Sequence, residues 1–220
     1  MIVAIDGPAG SGKSAVGRRV AEALHLPFVD SGLLYRVVGS LALERGIRLD
    51  DAGALSRLAE SATVRIDGRR VHVDGREVTG QVYAPGLSEA ASQVAQFPGV
   101  RAAVVVQLRA MGDGGVVMAG RDIGTVVFPA AERKFYLTAT AEERARRRAA
   151  QITERGERAD PEQLRVEVEE RDRRDAGRAV APMRPADDAV VLETDGLDLA
   201  GVVAEVLRHV HAARTGGGAR

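Results

Sequence analysis

The run Gly7-Pro8-Ala9-Gly10-Ser11-Gly12-Lys13-Ser14 limits the possible folds of this chain more than any other stretch. It satisfies G-x-x-x-x-G-K-[ST], a pattern with a physical basis. Glycines let successive backbone N–H groups converge on phosphate oxygens without side-chain interference. The first turn of the following helix adds unpaired donors and a favourable dipole. Such a loop needs a strand before it and a helix after it, and the flanks supply both. Ile2-Val3-Ala4-Ile5 is an apolar run ending at Asp6-Gly7, and Val16, Val20, Ala23 and Leu24 recur at helical spacing over residues 13–25. Lys13 is placed to neutralise the β- and γ-phosphates of a nucleotide, and Ser14 to hold Mg²⁺ directly or through water.

The rest of the chain extends this beginning into an α/β pattern. Pro27 to Asp30 reads as a second strand and residues 32–45 as a helix. Residues 63–78 change period: Val64, Ile66, Val71, Val73 and Val78 alternate with polar residues around Asp67-Gly68 and Asp74-Gly75, which predicts a small antiparallel sheet. Helices are expected at 87–95 and 98–111, strands at 116–119, 134–138 and 189–192, and a closing helix at 198–213. Residues 141–179 are mostly helical, with a break from Gly156 to Pro161, and the tail at Gly216-Gly217-Gly218 is expected to fray. Strands alternating with helices imply a mainly parallel sheet with helices on both faces. Ligands of such sheets bind beyond the carboxyl ends of the strands.

Composition narrows the classes further. Thirty-one basic and 31 acidic side chains cancel, so no general nucleic-acid or membrane-surface binder is expected. The absence of cysteine excludes disulfides and thiolate metal sites. His25, His72, His209 and His211 lack ligand spacing. The N-terminus has no basic segment followed by an apolar run, and no stretch reaches membrane-spanning length, so a cytoplasmic location is expected. Lys13 and Lys134 are the only lysines among many arginines.

Other candidate residues lie on the acceptor side. Ser31 can cap the second helix. Arg36, on that helix's first turns, has the planar fork that grips a phosphate. Arg171, Asp175 and Arg178 are spaced i, i+4, i+7 and would share one helix face, either as a site or as a solvated face with internal ion pairs. Arg144, Arg147, Arg148, Arg155 and Arg158 form a cluster expected to be largely helix surface, with one or two of them open as lid contacts to a transferring phosphoryl group.

In chain order, several segments resemble the bacterial cytidylate kinases. They are Ile5 to Ser14, Asp30-Ser31-Gly32 with Tyr35-Arg36, Ala91 to Ala95, Phe97-Pro98 with Val100-Arg101, Gly120-Arg121-Asp122-Ile123-Gly124-Thr125-Val126-Val127-Phe128-Pro129, and Glu170-Arg171-Asp172 running to Asp175 and Arg178 to Pro182. The resemblance spans nearly the whole chain. The ten-residue string from Gly120 is its most specific part.

The resemblance implies a P-loop NMP-kinase fold with a small antiparallel β insertion and a short lid. The expected divisions are a core at 1–35, an acceptor-binding region at 36–84, more core at 85–143, a lid at 144–162, and core with the C-terminal helix at 163–220. The activity implied is transfer of a phosphoryl group from ATP to CMP or dCMP, with Mg²⁺, in a monomer. Gly7, Pro8, Ala9, Gly10, Ser11, Gly12, Lys13 and Ser14 would bind ATP. Ser92, Arg101 and Asp122 would read cytosine. Arg36, Arg121 and Arg178 would clamp the acceptor phosphate, and Arg171 and Asp175 would meet the sugar, with Ser31 and Tyr35 beside them. Lys13, Arg121 and Arg178 carry the catalytic expectation. Asp122 can accept from the exocyclic amine of cytosine, where uracil would present a second acceptor. Many family members have Asp at the position of Ala119, so no metal or water contact is expected there, and Glu89 replaces a small or amide residue.

Two rival classes remain at the level of sequence. One is a P-loop kinase for another small acceptor, which would not need Ser92, Arg101 and Asp122. The other is a nucleotide-dependent switch, but the guanine-reading Asn-Lys-x-Asp motif is absent. Lys13→Ala is expected to abolish nearly all turnover and leave the circular dichroism spectrum unchanged. Full activity in that variant would contradict the phosphate-loop assignment.

Overall fold

A computed structural model describes residues 1–84, 86–154, 156 and 158–215, with side chains described as far as Ala212. Arg155 and the glycine tail at 216–218 lie outside the described residues. Two compact units emerge. One comprises residues 1–28 and the chain from 115 onward, and the other comprises residues 29–114.

The first unit is built on β1 (Ile2–Asp6), β6 (Val116–Ala119), β7 (Arg133–Thr138) and β8 (Val190–Glu193). With β2 (Phe28–Asp30), where the chain leaves this unit, they form a five-stranded sheet of order β2-β6-β1-β7-β8. The pairs β1–β6, β1–β7 and β7–β8 are parallel. Strands buried on both faces read as unbroken apolar runs, which is why Ile2-Val3-Ala4-Ile5 and Val116-Val117-Met118-Ala119 lack alternation. Val3, Ile5, Val117, Phe135 and Leu137 pack with Val16 and Val20 of α1 (Lys13–Leu24) and with Val202, Val206 and Val210 of α9 (Leu199–Thr215). Ala4 and Met118, which alternation turns to the opposite face, are equally buried. On α1 the expected apolar side needs a correction. Ala23 is exposed, and Ala21 and Gly17 face the core in its place. Gly17 is required there because a Cβ would lie 2.4 Å from the Phe28 ring.

The break expected within 141–179 separates α7 (Ala141–Thr153) from α8 (Pro161–Ala176), and these two helices pack together. Thr140 caps α7 by accepting from Glu143 N–H, and Asp160 caps α8 by accepting from Glu162 and Gln163 N–H.

The second unit holds α2 (Gly32–Glu44), α3 (Ala52–Ser61), α4 (Thr79–Val82), α5 (Leu87–Val94) and α6 (Pro98–Ala110). It also carries an antiparallel sheet of β3 (Val64–Asp67), β4 (Arg70–Val73) and β5 (Arg76–Glu77). The β4–β5 turn has Asp74 at φ 51° and Gly75 at φ 83°, the paired left-handed geometry that a two-residue hairpin turn demands. Helix α3 was not expected from the sequence. Its buried side chains are only Leu55, Leu58 and Ala59, too few to announce a helix by period alone. The unit is wider than the region expected at 36–84. Helix α5 packs on α2 and α6 on α3, so both helices belong to this unit.

Among the described residues, no helix is long and apolar enough to cross a membrane. The sheet core makes one stability prediction. Phe135 is fully buried, so Phe135→Ala should lower the unfolding free energy by about 3–5 kcal/mol, measured by denaturant titration. A loss under about 1 kcal/mol would mean the core is not packed as described.

Candidate active site

The phosphate loop leaves β1 at Gly7 and enters α1 at Lys13. Gly7 cannot be replaced, because a Cβ there would lie 2.0 Å from the Leu137 carbonyl oxygen. Gly12 has φ 88°, a left-handed value that aims the amides of the first turn of α1 along the helix axis. Lys13 is buried, and its Nζ donates to Pro8 O and to Ser11 Oγ at 3.2 Å. The ammonium thus rests on oxygens of the loop it serves. The arrangement suits a nucleotide phosphate, since it combines convergent donors, a buried cation and a helix N-terminus.

Protein ligands for Mg²⁺ are sparse. Ser14 contributes a hydroxyl at the second position of α1. Ala119, at the end of β6, has no oxygen in its side chain. No group of three or more potential ligands occurs among the described residues. The donor set fits an ion held by one hydroxyl, nucleotide oxygens and water.

Beside the loop, β6 ends at Ala119, and Gly120 N–H continues the ladder to Ile5 O at 3.0 Å. Arg121 and Asp122 follow. A single π-turn, Ile123–Val127, comes next, a stretch for which the sequence predicts no element. Asp6 is buried and takes both of its first amides: Ile123 N–H donates to Oδ1 at 2.8 Å and Gly124 N–H to Oδ2 at 2.7 Å. Burial pushes the Asp6 carboxyl up to about 6. The amide bonds from Gly124 and Ile123 oppose that rise, nearby Asp122 adds to it and Lys13 counters it.

Arg121 Nε donates to Asp175 Oδ2 at 2.9 Å, and Arg178 Nη2 donates to Asp175 Oδ1. Asp175 is 1% exposed. Burial alone would raise its carboxyl, but Arg121, Arg178 and Arg171 outweigh burial and hold it below the ordinary carboxylate value. The shared helix face expected for 171, 175 and 178 is therefore only partly present. Helix α8 ends at Ala176, and Arg178 lies beyond its Gly177 cap. It reaches Asp175 from three residues on, just past the helix end; farther along, Ala181 has φ 54° and Met183 N–H bonds back to Asp175 O at 2.9 Å.

The remaining candidates belong to the 29–114 unit. Arg101 is 3% exposed, stacks over the Tyr35 ring at 5.5 Å and donates to Ala95 O at 3.3 Å. Ser92 is buried, and its Oγ has no partner among the described residues. Arg36 lies over Tyr83 at 6.0 Å and donates to Ser88 Oγ at 3.2 Å. Ser31 is buried at the N-cap of α2 but makes no capping bond. Its own backbone is already helical, so the capping acceptor is Asp30 Oδ1, which takes Gly32 N–H at 3.0 Å.

A family model described as cytidylate kinase matches residues 3–212. The chain belongs to the cytidylate kinase family. It is similar to the bifunctional pantoate ligase/cytidylate kinase of Synechococcus sp. (strain JA-3-3Ab), 46% identical over 215 residues, which are 94% of this chain and 40% of that protein. The chain thus spans about two fifths of the length of that relative. It is also similar to the cytidylate kinase of Pelotomaculum thermopropionicum (strain DSM 13744 / JCM 10971 / SI), 44% identical over 218 residues and 96% of each chain. Among solved structures, a gluconokinase from Sinorhizobium meliloti 1021 matches 96% of this chain and 92% of its own, with 18% identity and a TM-score of 0.49.

The arginine cluster of this cytidylate kinase family member is less superficial than expected. Arg144 is buried, donating from Nη1 to Ala9 O of the phosphate loop at 3.1 Å, from Nε to Ala139 O at 3.0 Å, and to Asp172. Arg147 donates to Thr194 Oγ1 at 2.9 Å and Thr194 O at 2.6 Å. Arg158 is exposed. Sequence reasoning also missed Asp6, although its place directly before the glycine loop marked it as a strand-end acid. Nothing in the sequence singles out Ser88.

Asp6 makes a pH prediction. Its folded pKa of about 6 exceeds the reference 3.8. Its contribution to stability is therefore complete below about pH 4 and lost as pH rises through 6. Relative to Asp6→Asn, the native chain should lose about 3 kcal/mol of unfolding free energy between pH 4 and pH 7, measured by denaturant titration at each pH. A pH-independent difference would contradict the buried, ionising carboxyl.

Proposed function

We propose that the chain catalyses ATP + CMP (or dCMP) giving ADP + CDP (or dCDP). The observation that carries this reading is the pairing of a phosphate loop with Arg121 and Arg178, two arginines held by one buried carboxylate in the same compact unit. A single ATP hydrolase would have no use for the second cationic centre. In this reading, which family membership supports, the acceptor is CMP, with its phosphate assigned to Arg36, Arg121 and Arg178, its base to Ser92, Arg101 and Asp122, and its sugar to Arg171 and Asp175. Ser31 and Tyr35 stand beside it. The buried Ser92 hydroxyl, without a partner among the described residues, suits a base contact, because burying such a group costs free energy until a ligand satisfies it.

The acceptor is already an anion and needs no strong base. An oxygen of the CMP phosphate attacks the γ-phosphorus, the bond to the β–γ bridging oxygen breaks, and ADP leaves with that electron pair. Positioning and charge neutralisation therefore carry the catalysis. Lys13 moves from its loop oxygens to the transferring phosphates. Arg121 and Arg178 reach the acceptor phosphate from a carboxylate that keeps their guanidinium planes fixed until it arrives. The Gly12–Ser14 amides hold the donor. Mg²⁺, when bound, spreads the charge of the donor phosphates, with Ser14 as the protein's contribution. Asp6 has both oxygens on backbone amides, so it is not a base in this scheme.

Every proposed contact to ATP and CMP comes from one chain, so a monomer suffices, acting in the cytoplasm where both nucleotides are found. Asp122 is buried at the carboxyl end of β6 and is assigned to the amine of cytosine. Asp122→Asn should shrink the preference for CMP over UMP in kcat/KM by about 10- to 100-fold, the range of one charged hydrogen bond, in an assay of ATP with each nucleoside monophosphate. An unchanged ratio would remove Asp122 from base reading, and no activity with any pyrimidine monophosphate would defeat the proposed function.

A further inference from the structure

Arg121 and Asp122 stand on a strip of chain that is fastened on both sides. Before them, Gly120 N–H is bonded to Ile5 O at 3.0 Å. After them, Ile123 and Gly124 N–H are bonded to the two oxygens of Asp6. Ile5 and Asp6 are the last two residues of β1, directly ahead of the glycine loop. Farther along, Pro129 O accepts from Lys134 Nζ at 2.6 Å, and the same ammonium reaches Asp188 Oδ1 at 2.9 Å. The second of the two lysines thus closes the segment that begins at Gly120. Gly124 completes the fit, because a Cβ there would lie 3.1 Å from Lys134 Cδ and 3.4 Å from Asp6 Oδ2.

Two physical facts make Asp6 the decisive part of this clasp. The first amides of a short helical turn have no intrahelical partner, and only an acceptor outside the turn can satisfy them. A carboxylate satisfies two at once with charge-assisted bonds, whereas an amide side chain has one acceptor and would set an N–H against an N–H. Without Asp6 the π-turn Ile123–Val127 would leave two buried donors unmet, and the chain would shift to find solvent or another partner. Arg121 and Asp122 would move with it.

We infer that Asp6 is a positioning residue for the acceptor nucleotide, acting through the amides of Ile123 and Gly124 to present Arg121 and Asp122 at the carboxyl edge of the sheet. This rests on the proposed reading of Arg121 and Asp122 as CMP contacts. It adds a role for a residue that touches neither substrate, and it links β1, which leads into the donor loop, to the strip that handles the acceptor.

Kinetics of Asp6→Asn separate this role from a merely structural one. The expected signature is a rise of about tenfold or more in KM for CMP with a reduced CMP-to-UMP ratio, the size set by one lost charged hydrogen bond. Binding of a non-hydrolysable ATP analogue, measured without CMP, should change by less than about threefold, as expected for a group that leaves the donor loop in place. Hydrogen exchange at the Ile123 and Gly124 amides should accelerate selectively. Gly124→Ala, which keeps the carboxylate but crowds the Lys134 side chain that closes the segment, should give the same signature, and it carries the test if Asp6→Asn fails to fold. Two results would overturn the inference: unchanged CMP parameters in both variants, or equal losses in CMP and ATP-analogue binding, which would place the effect in the donor loop. A native chain inactive on CMP would instead defeat the reading of the site, while exchange at the two amides would still report on the clasp.

Discussion

In the proposed reaction, mutual repulsion of phosphates is the constraint that the rest of the site must meet. A chain that is to bring two polyanions together must keep strong cations fixed and partly dehydrated before either anion arrives. Isolated buried charge is costly, so each cation needs a temporary counterpart. Lys13 has the loop oxygens of Pro8 and Ser11. Arg121 and Arg178 share Asp175, and Arg101 has the Tyr35 ring and Ala95 O. Arg36 has Ser88.

The parallel sheet makes the fixing possible. Because β1 and β6 run side by side in the same direction, the glycine loop and the strip holding Arg121 and Asp122 leave the sheet at one edge. Asp6 ties the two exits together through amides rather than through another side chain. Arg144 makes a second tie, from α7 to the loop carbonyl of Ala9 and to Asp172 on α8. The Asp6 tie is buried and the Arg144 tie partly so, and both use groups that would be costly to leave unpaired.

The sequence made most of this legible where periodicity or turn chemistry was strong. The apolar strands β1 and β6, the Asp-Gly hairpins of the small sheet and the capped helices α7 and α8 all carry local signals that tertiary packing reinforces. Helix α3 escaped because its apolar stripe is short. The π-turn after Asp122 escaped because its cause is a distant carboxylate, which no local pattern reveals. Arg178 fitted a helical spacing from Arg171, yet the helix stops at Ala176, and its ion pair with Asp175 is made from just beyond the Gly177 cap. Arg144 was indistinguishable from its surface neighbours, since charge composition does not tell which arginine of a run faces inward. The residue types of the candidate site were thus readable, and the scaffolding bonds between them were not.

The account stands on transfer of phosphate between two nucleotides held by one chain. Phosphorus-31 NMR of the purified chain with ATP, Mg²⁺ and CMP observes that transfer directly. The account requires the signals of CDP and ADP to grow in equal amounts at the expense of ATP and CMP, with negligible inorganic phosphate. Growth of ADP and inorganic phosphate while CMP persists would contradict it.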